Sequence, residues 1–379
     1  DYSTDAGVTY PNVIIASTDA TTGTYAWTVP DAIGNQVRVK ITNVGDAAVN
    51  DASNANFEIK GSLTITSPNN GEVWLVGASQ PITWTKTGTI ANAKLEYSTD
   101  GGVTYPNVII ASTPAAAGSY SWTIPDAISS TVRVKITNLA DTTVFDASDA
   151  NFKITGSLTL TSPNSGESWI IGSSQNITWT KTGSIASVKL EYSIDGGATY
   201  PNLVAASVNA TTGTPYAWTV PDNPSPTCRV KITNTADSTI FDTSDANFRI
   251  RGSLTITSPN GAEIWIVGES RNITWTKQGA IANAKLEYST DGGTNYPNVI
   301  IASTPAAGLT YPWTVPDAIG TTLKVKITDV SDATVFDASD ANFIIRGSLT
   351  LASPNGAEIW VVGESRNITW TKTGSIANA

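Results

Sequence analysis

The chain has 379 residues, no histidine, one cysteine and a formal net charge of −10. The acidic balance argues against nucleic-acid binding, because such an interface needs a basic groove to meet the phosphates. The lack of histidine excludes the Ser–His–Asp and Cys–His arrangements of nucleophilic catalysis. No apolar run approaches the length of a membrane-spanning helix. Composition therefore favours a non-enzymatic protein that neither binds nucleic acid nor spans a membrane within this segment.

One phrase recurs along the chain and divides it into repeats of about 95 residues. It reads GSLTITSPNNGEVW at its first occurrence, and its four copies begin at Gly61, Gly156, Gly252 and Gly347. A unit of this length can bury its own hydrophobic core, so the sequence predicts an array of small domains. The predicted array contains the later part of a repeat (1–60), three complete repeats (61–155, 156–251 and 252–346) and the first part of another (347–379).

The elements of the first complete repeat are short strands separated by turn signals. Ser62–Ser67 alternates apolar and polar residues with the period of a half-buried strand. Asp100-Gly101 predicts a tight hairpin turn, where positive φ angles favour these residues. Further strands are expected around Trp74 and Val76, around Ile82 and Trp84, around Leu95 and Tyr97, and at Val108–Ala111, Tyr120–Ile124, Val132–Ile136 and Phe152–Ile154. Seven or eight strands without helical periodicity predict an all-β fold of tandem immunoglobulin-like or fibronectin-like β-sandwiches.

Consecutive repeats are joined with almost no linker. Phe152–Thr155 ends one repeat, and Gly156-Ser157 leads directly into the next strand at Leu158. A flexible linker of the Gly/Ser-rich kind is therefore not predicted. We expect neighbouring domains to touch, to resist bending and to form an end-to-end rod.

Few side chains remain that could carry chemistry. The single cysteine, Cys228, cannot form a disulfide within one chain. It replaces Val132 and Leu323 of the sister repeats, which favours a small core residue over a reactive thiol.

Carboxylates in the FDASDANF phrase are the remaining candidates for chemistry. They are Asp146 and Asp149, with Asp242/Asp245 and Asp337/Asp340 as counterparts. A glycosidase needs a carboxylic acid of raised pKa in a cleft, which small sandwiches with polar turns seldom provide. Together with Asp141 they could hold calcium, or they could cap turns by accepting backbone N–H groups. Turn capping is favoured, and neither enzymatic activity nor a cofactor or metal is predicted.

The twelve tryptophans recur with the repeat and raise the question of sugar binding, since exposed indoles stack on sugar rings. Trp84 and Trp122 share a strand face with Ile82 and Tyr120, which favours a place in the core. Trp74 lies in a phrase bounded by glycines near a domain end, so its place in the core is less certain.

Four asparagines begin glycosylation sequons: Asn176, Asn272 and Asn367 in Asn-Ile-Thr, and Asn209 in Asn-Ala-Thr. Alternation with Ile177 and Trp179 places Asn176 on the outward face of its strand, where a glycan could sit. Chance sequons are common in a chain rich in asparagine and threonine, so these residues are candidate acceptors only.

The phrases SPN-x-GE-x-W-x-x-G-x-S-x-x-ITWTKTGSI, LEYS-x-DGG, GSYSWTIPD, VRVKIT and SDANFKI together span a whole repeat. In them the repeat resembles the KNH-type, Ser-Thr-rich cell-wall β-sandwich domain. That family also occurs as tandem repeats in very large secreted or surface proteins of bacteria. The resemblance implies a β-sandwich fold and an extracellular or cell-surface location, and the family pattern defines no catalytic residues.

These observations predict an extracellular structural repeat protein that forms a semi-rigid rod, stalk or filament. The alternative is a multivalent adhesin or carbohydrate-binding array, in which each repeat presents the same weak site. A solvent-exposed aromatic patch with polar partners would distinguish the second from the first. The phrase at Asp1 matches that at Glu96, and the phrase ending at Ala379 matches that ending at Ala93. The partners expected are therefore further repeats, by continuing chain or by head-to-tail copies, and, under the alternative, a cell-surface polysaccharide.

Overall fold

The computed structural model describes residues 1–379 and divides into two compact units. The first comprises Asp1–Leu158 with Lys181–Ala186, and the second comprises Thr159–Thr180 with Ser187–Ala379. Strands dominate both, and the only helices are short 3₁₀ turns at Ala20–Thr22, Ala115–Ala117 and Ala306–Gly308. None of these helices reaches the length and apolar character needed to cross a membrane. The all-β prediction is confirmed.

Residues 1–60 form one four-stranded sheet in the first unit. Its strands are β1 (Tyr2–Ser3), β2 (Gly34–Asn43), β3 (Asp46–Ala52) and β4 (Phe57–Ile59). Strand β2 is central and pairs antiparallel with the other three. Only Val37 and Ile59 of its apolar side chains are buried.

Residues 61–155 fold into a complete sandwich, also in the first unit. The strands are β5 (Ser62–Ser67), β6 (Val73–Leu75), β7 (Ser79–Thr87), β8 (Asn92–Ser98), β9 (Asn107–Pro114), β10 (Ser119–Thr123), β11 (Ser129–Asn138), β12 (Phe145–Ala147) and β13 (Phe152–Thr155). One sheet has the order β10-β7-β5, and the other has the order β6-β13-β11-β8-β9 with β12 paired to β11. The first segment of the repeat thus contributes β5 to one sheet and β6 to the other, where β6 pairs parallel with β13. This two-sheet arrangement is that of an immunoglobulin-like sandwich.

The core of this sandwich lies between the two sheets and follows from strand alternation. Leu63 and Ile65 point inward from β5, while Thr64 and Thr66 point outward. Trp84 lies in the same buried cluster, and its Nε1–H donates to the backbone oxygen of Ala115 at 2.9 Å. A buried indole N–H that finds an acceptor avoids an unsatisfied donor in the core.

Three aromatic rings close one end of the core. The ring centroids of Trp74 and Phe152 are 4.8 Å apart, and those of Trp74 and Trp122 are 6.1 Å apart. All three side chains are buried. The uncertain Trp74 therefore belongs to the core, together with Trp122.

Residues 156–251 and 252–346 reproduce the same pattern of strands. In the second complete repeat they are β14 (Ser157–Ser162), β15 (Ser168–Ile170), β16 (Ser174–Thr182), β17 (Ser187–Ser193), β18 (Asn202–Asn209), β19 (Tyr216–Thr219), β20 (Ser225–Asn234), β21 (Phe241–Thr243) and β22 (Phe248–Arg251). In the third they are β23 (Ser253–Ser258), β24 (Ile264–Ile266), β25 (Ser270–Gln278), β26 (Asn283–Ser289), β27 (Asn298–Pro305), β28 (Thr310–Thr314), β29 (Gly320–Asp329), β30 (Phe336–Ala338) and β31 (Phe343–Arg346). The strand orders in the sheets are the same as in the first. Cys228 is fully buried, as predicted, and burial raises the pKa of its thiol.

Residues 347–379 form a two-stranded sheet in the second unit. Its strands are β32 (Ser348–Ser353) and β33 (Thr369–Thr373), paired antiparallel. They repeat the register that β23 and β25 adopt in the third complete repeat.

Two local features differ from the sequence prediction. A complete repeat has nine strands rather than seven or eight, because the three-residue strand β12 is too short to show a period. The loop from Ser98 to Asn107 is longer than the tight hairpin that Asp100-Gly101 predicts. Within it the Asp100 carboxylate accepts from the Ser98 hydroxyl at 2.5 Å and from the Thr104 hydroxyl at 2.6 Å. Side-chain bonding to nearby groups thus stabilises a wider turn.

Candidate functional site at the joints between repeats

A glycine leads into the first strand of each following repeat, alone in three places and preceded by Lys60 at the first joint. Gly61 lies between β4 and β5, and Gly252 lies between β22 and β23. A Cβ atom at either position would come within 2.6 Å of a backbone oxygen, that of Thr87 or that of Gln278. Only glycine therefore lets the linker lie this close to the strand it contacts.

An aspartate of one repeat binds a loop of the next repeat. The four pairs are Asp31 with Thr89, Asp126 with Ser184, Asp222 with Ala280, and Asp317 with Ser375. In each pair the backbone N–H of the second residue donates to Oδ1 of the aspartate at 2.9 Å. Each pair lies within one of the two compact units. We call this contact the joint aspartate contact.

A hydroxyl adds a second hydrogen bond at three of the four joints. Ser184 and Ser375 donate through Oγ to Oδ2 of their aspartates at 2.5 Å, and the Thr89 hydroxyl donates to Asp31. Ala280 has no hydroxyl, so Asp222 keeps the backbone hydrogen bond alone. A carboxylate that accepts both an N–H and an O–H fixes the direction of the loop as well as its distance.

The loop that meets the aspartate is shaped by a glycine with a positive φ angle. Gly183 has a φ of +81°, which is strained for residues with a side chain. A Cβ there would lie 3.2 Å from a methyl carbon of Val76 and 3.2 Å from one of Ile128. Two apolar side chains of the preceding repeat therefore pack directly against the glycine, beside the joint aspartate contact.

A second contact holds the joint on another side. Lys60 directly follows strand β4. Its ammonium lies 2.7 Å from Oγ1 of Thr143 and 3.4 Å from the Asp141 carboxylate. In the second unit, Arg249 pairs with Asp332, the counterpart of Asp141, although Arg249 stands at the position of Glu58 rather than that of Lys60. Exposed ion pairs add little stability. Two separated contacts do, however, limit rotation about a linker more than one contact does.

Hydrogen bonds lower the pKa of three joint aspartates. The Ser184 hydroxyl and N–H lower the pKa of Asp126, and the Ser375 hydroxyl and N–H lower that of Asp317. The Thr89 hydroxyl and N–H do the same for Asp31. A folded-state pKa below the ordinary value of about 3.9 means that the charged form is favoured in the folded chain.

We expect the joints to loosen in acid. The aspartate contribution is complete above about pH 5 and is lost as the pH falls through the lowered pKa, because only the folded state favours the carboxylate. Amide hydrogen exchange at Ser184 and Ser375, expressed relative to an unfolded reference, should therefore be constant from pH 7 to 5 and faster at pH 2.5. Asp126→Asn should remove this pH dependence at Ser184 alone. Equal pH dependence in the variant would contradict the assignment.

The predicted glycan acceptors are dispersed rather than gathered into a site. Asn176 and Asn272 are exposed on the central strands β16 and β25, and Asn367 is exposed just before β33. Asn209 ends β18, where its Oδ1 accepts the N–H groups of Thr211 and Thr212. All four are accessible, and their glycosylation remains a prediction.

The carboxylates of the FDASDANF phrase connect turns to neighbouring strands. Asp146 accepts the N–H of Ile65 at 2.7 Å, and Asp149 accepts from the amide of Asn69 at 2.8 Å. Asp141 accepts the N–H and hydroxyl of Thr143. No group of three or more His, Cys, Asp or Glu side chains is placed to hold a metal ion. Of the three, only Asp141 makes the turn-capping contact with a nearby backbone N–H that the sequence favoured. Asp146 and Asp149 instead bond groups that are about 80 residues away along the chain.

Sequence reasoning did not find the joint aspartates. Asp126 and Ser184 are 58 residues apart, and no local period connects them. The available signal was the recurrence of Pro-Asp in four places, and of Thr-Gly-Ser or Thr-Gly-Thr in the following repeat at three of them. Gln278-Gly279-Ala280 stands at the remaining joint.

The fold and its joints define a tandem array of immunoglobulin-like and fibronectin-like β-sandwich repeats. No family model and no curated protein matches the chain. Among solved structures, it is similar to the fibronectin(III)-like modules of Clostridium thermocellum CbhA at 18% identity, covering 50% of this chain and 94% of that one with a TM-score of 0.19. It is similar to Sidekick-1 immunoglobulin domains 1–5 at 9% identity, covering 84% and 67% with a TM-score of 0.26. It is also similar to the titin I-band fragment I67–I69 at 10% identity, covering 75% and 95% with a TM-score of 0.24.

Proposed function

We propose that the chain is a non-enzymatic, extracellular structural repeat protein whose repeats form a semi-rigid rod, stalk or filament. The observation that supports this most is the recurrence of the joint aspartate contact at four places with the same 2.9 Å hydrogen bond. A backbone contact that recurs with the same geometry favours the same step between neighbours each time. Identical steps generate an extended, regular array.

The chemistry of the joint also favours stiffness. The linker contains no flexible run, and its glycine lies against the following strand. Lys60 and the pair of Arg249 with Asp332 add a second point of contact away from the joint aspartates. Bending such a joint would break hydrogen bonds on at least one side.

We further propose that the exposed apolar face of residues 347–379 is covered by residues 1–60 of another copy, head to tail. Trp370 is 49% exposed, whereas its counterpart Trp275 in the third complete repeat is 2% exposed. Ile368 is likewise exposed where Ile273 is fully buried. An uncovered apolar face of this kind is costly and prone to aggregation. Strands equivalent to those of residues 1–60 cover it in each complete repeat.

Electron microscopy of the purified chain tests the rod. We expect an elongated particle of roughly 40 Å per repeat, if strands of about 3.3 Å per residue are capped by loops, with a narrow distribution of angles. Asp126→Ala combined with Asp317→Ala should widen the angles. Asp51→Ala removes an exposed aspartate outside the joints and serves as the control. A wild-type particle with freely varying angles would refute the proposal.

The relation to the KNH-type domain and the surface location remain part of this proposal. The alternative function, a multivalent carbohydrate-binding array, gains support from a different face of the sandwich, which is described next.

A further inference from the structure

Each complete repeat carries an exposed phenylalanine on the outer face of its larger sheet. Phe145 is 54% exposed, and Phe241 and Phe336 are exposed to a similar extent. Each lies in the three-residue strand β12, β21 or β30. A large apolar ring that recurs in the same exposed position in every complete repeat is not explained by the core or by the joints.

A lysine lies beneath each exposed ring. The ammonium of Lys135 is 4.4 Å from the centroid of Phe145 and 5.6 Å from that of Tyr105. The counterpart rings lie at similar distances from the other two lysines: Tyr200 and Phe241 from Lys231, and Tyr296 and Phe336 from Lys326. No ion pair or hydrogen bond engages any of these three ammonium groups, although each side chain is partly buried. Aromatic rings attract a cation but cannot accept its N–H groups as an anion does.

A threonine hydroxyl without a partner lies beside each lysine. Thr137 and Thr233 are each 8% exposed, and their Oγ1 atoms have no hydrogen-bond partner. Thr328 occupies the same place in the third complete repeat, and its Oγ1 also lacks a partner. A buried hydroxyl without a partner is costly, and its recurrence in all three complete repeats marks a hydrogen-bonding position that no group of the chain fills.

The register of the sheet brings these groups together. Thr137 on β11 lies opposite Phe145 of the neighbouring strand β12 and opposite Lys94 of the neighbouring strand β8. Glu96 lies opposite Lys135 in the register but forms its ion pair with Lys94, at 2.5 Å. The two lysines and one glutamate leave one positive charge on this patch. In the third repeat the corresponding surface forms a concavity of about 300 Å³, and the charged side chains in its lining are Lys285, Glu287, Lys326 and Asp329. Thr328 lies between them, and the Phe336 ring stands outside the concavity. That volume is at the lower end of the range for small-ligand sites.

We propose that this face of each complete repeat binds a sugar residue that carries a carboxylate, as in a uronic-acid polysaccharide. The ammonium of Lys135 would donate to the carboxylate, and the exposed surface of Phe145 would stack on the sugar ring. The Thr137 hydroxyl would bond a sugar oxygen once the side chains that cover it move aside. The three sites are those of Lys135, Lys231 and Lys326, and repetition along one polysaccharide raises a weak affinity through avidity.

The chain also contains natural comparisons. In residues 1–60, Lys40 keeps its tyrosine, Tyr10, at 5.6 Å, but Asn50 stands where the complete repeats have phenylalanine. In the third repeat, Asp329 replaces Asn138 beside the concavity, and its carboxylate is bonded by Ser331. We therefore expect no binding at Lys40, and weaker binding at Lys326 than at Lys135.

Binding of polygalacturonate to the whole chain tests the proposal. The control ligand is the methyl-esterified polymer, which has the same sugar backbone but lacks the negative charge of the carboxylates. We expect measurable affinity for the first and at least tenfold weaker affinity for the second. A net charge of −10 disfavours non-specific attraction to a polyanion, so binding would report the local sites.

Two sets of substitutions locate the site. Replacing Lys135, Lys231 and Lys326 together by methionine keeps the aliphatic stem and should weaken binding at least tenfold. Replacing the three phenylalanines by asparagine, the residue found at position 50, should weaken it several-fold. Lys40→Met should leave the affinity unchanged.

Lysine labelling followed by mass spectrometry provides a direct readout at each site. Polygalacturonate should protect Lys135 and Lys231 from reductive methylation, and should not protect Lys40. No affinity of the folded wild-type chain, equal affinity for the esterified polymer, or full affinity in the lysine triple variant would each overturn the proposal. None of these results would alter the rod, whose test depends on the joints alone.

Discussion

Replacing Trp84 by alanine is expected to destabilise its repeat by about 3–5 kcal/mol, the cost of removing a large side chain from a packed core. The indole is 3% exposed and lies between the two sheets. Its loss would also leave the backbone oxygen of Ala115 without the 2.9 Å hydrogen bond from Nε1. A buried acceptor that loses its donor adds a penalty to the loss of packing.

Peptide-level hydrogen exchange of the whole chain measures this loss in the repeat concerned, without assuming that all repeats unfold together. Thr85→Ala is the matched control, because Thr85 is the exposed neighbour of Trp84 on the same strand. It should change the free energy of opening by less than about 0.5 kcal/mol. A loss below about 1 kcal/mol for Trp84→Ala would mean that the indole is not a core side chain.

The core of the repeat could be predicted because its signals are local. Leu63 and Ile65 alternate with threonines, and Trp84 and Trp122 share a face with aliphatic residues. Strand alternation therefore assigns these side chains to the core without knowledge of the partner strand.

The pairing of strands that are distant in sequence could not be predicted in this way. The parallel pairing of β6 with β13 joins Trp74 to Ile154, and a three-residue strand carries no period from which to read it. The strand β12 that presents Phe145 is equally short.

The same limit applies to both candidate sites. A joint aspartate and its loop belong to different repeats, and their contact depends on how the linker glycine lets two sheets approach. The patch at Lys135 combines Tyr105 from a loop with Phe145 from another strand. Alternation along one strand identifies an outward lysine, but not the rings above it or the hydroxyl beside it.

The joints show how a repeat protein can vary while its geometry is kept. Ala280 stands where Ser184 and Ser375 supply a hydroxyl, and yet its backbone N–H makes the same 2.9 Å hydrogen bond to the aspartate. The backbone contact is therefore the common element, and the side-chain hydroxyl is an addition. It follows that the glycine before this residue, which sets the direction of the N–H, should be harder to replace than the residue itself.

Replacing Gly279 by alanine is expected to disturb its joint more than replacing Ala280 by serine, the residue found at positions 184 and 375. Gly279 has a φ of +81°, so a side chain there costs about 1–2 kcal/mol in backbone strain. A Cβ would also lie 2.5 Å from Cδ1 of the buried Ile171, which must leave its preferred rotamer at a further cost of about 0.5–1.5 kcal/mol. Because Ile171 belongs to the preceding repeat, its displacement moves the contact between the repeats.

Gly292→Ala separates these two effects. Gly292 has nearly the same φ, +79°, but a Cβ there would meet no atom within 4 Å. In both variants, backbone strain should lower the stability of the repeat, as measured by hydrogen exchange within that repeat. Only Gly279→Ala should accelerate exchange of the Ala280 amide, which donates to Asp222, and only it should widen the angles between repeats in electron micrographs. Equal behaviour of the two variants at Ala280 would mean that close packing on the glycine does not hold the joint, and the stiffness of the array would then need another origin.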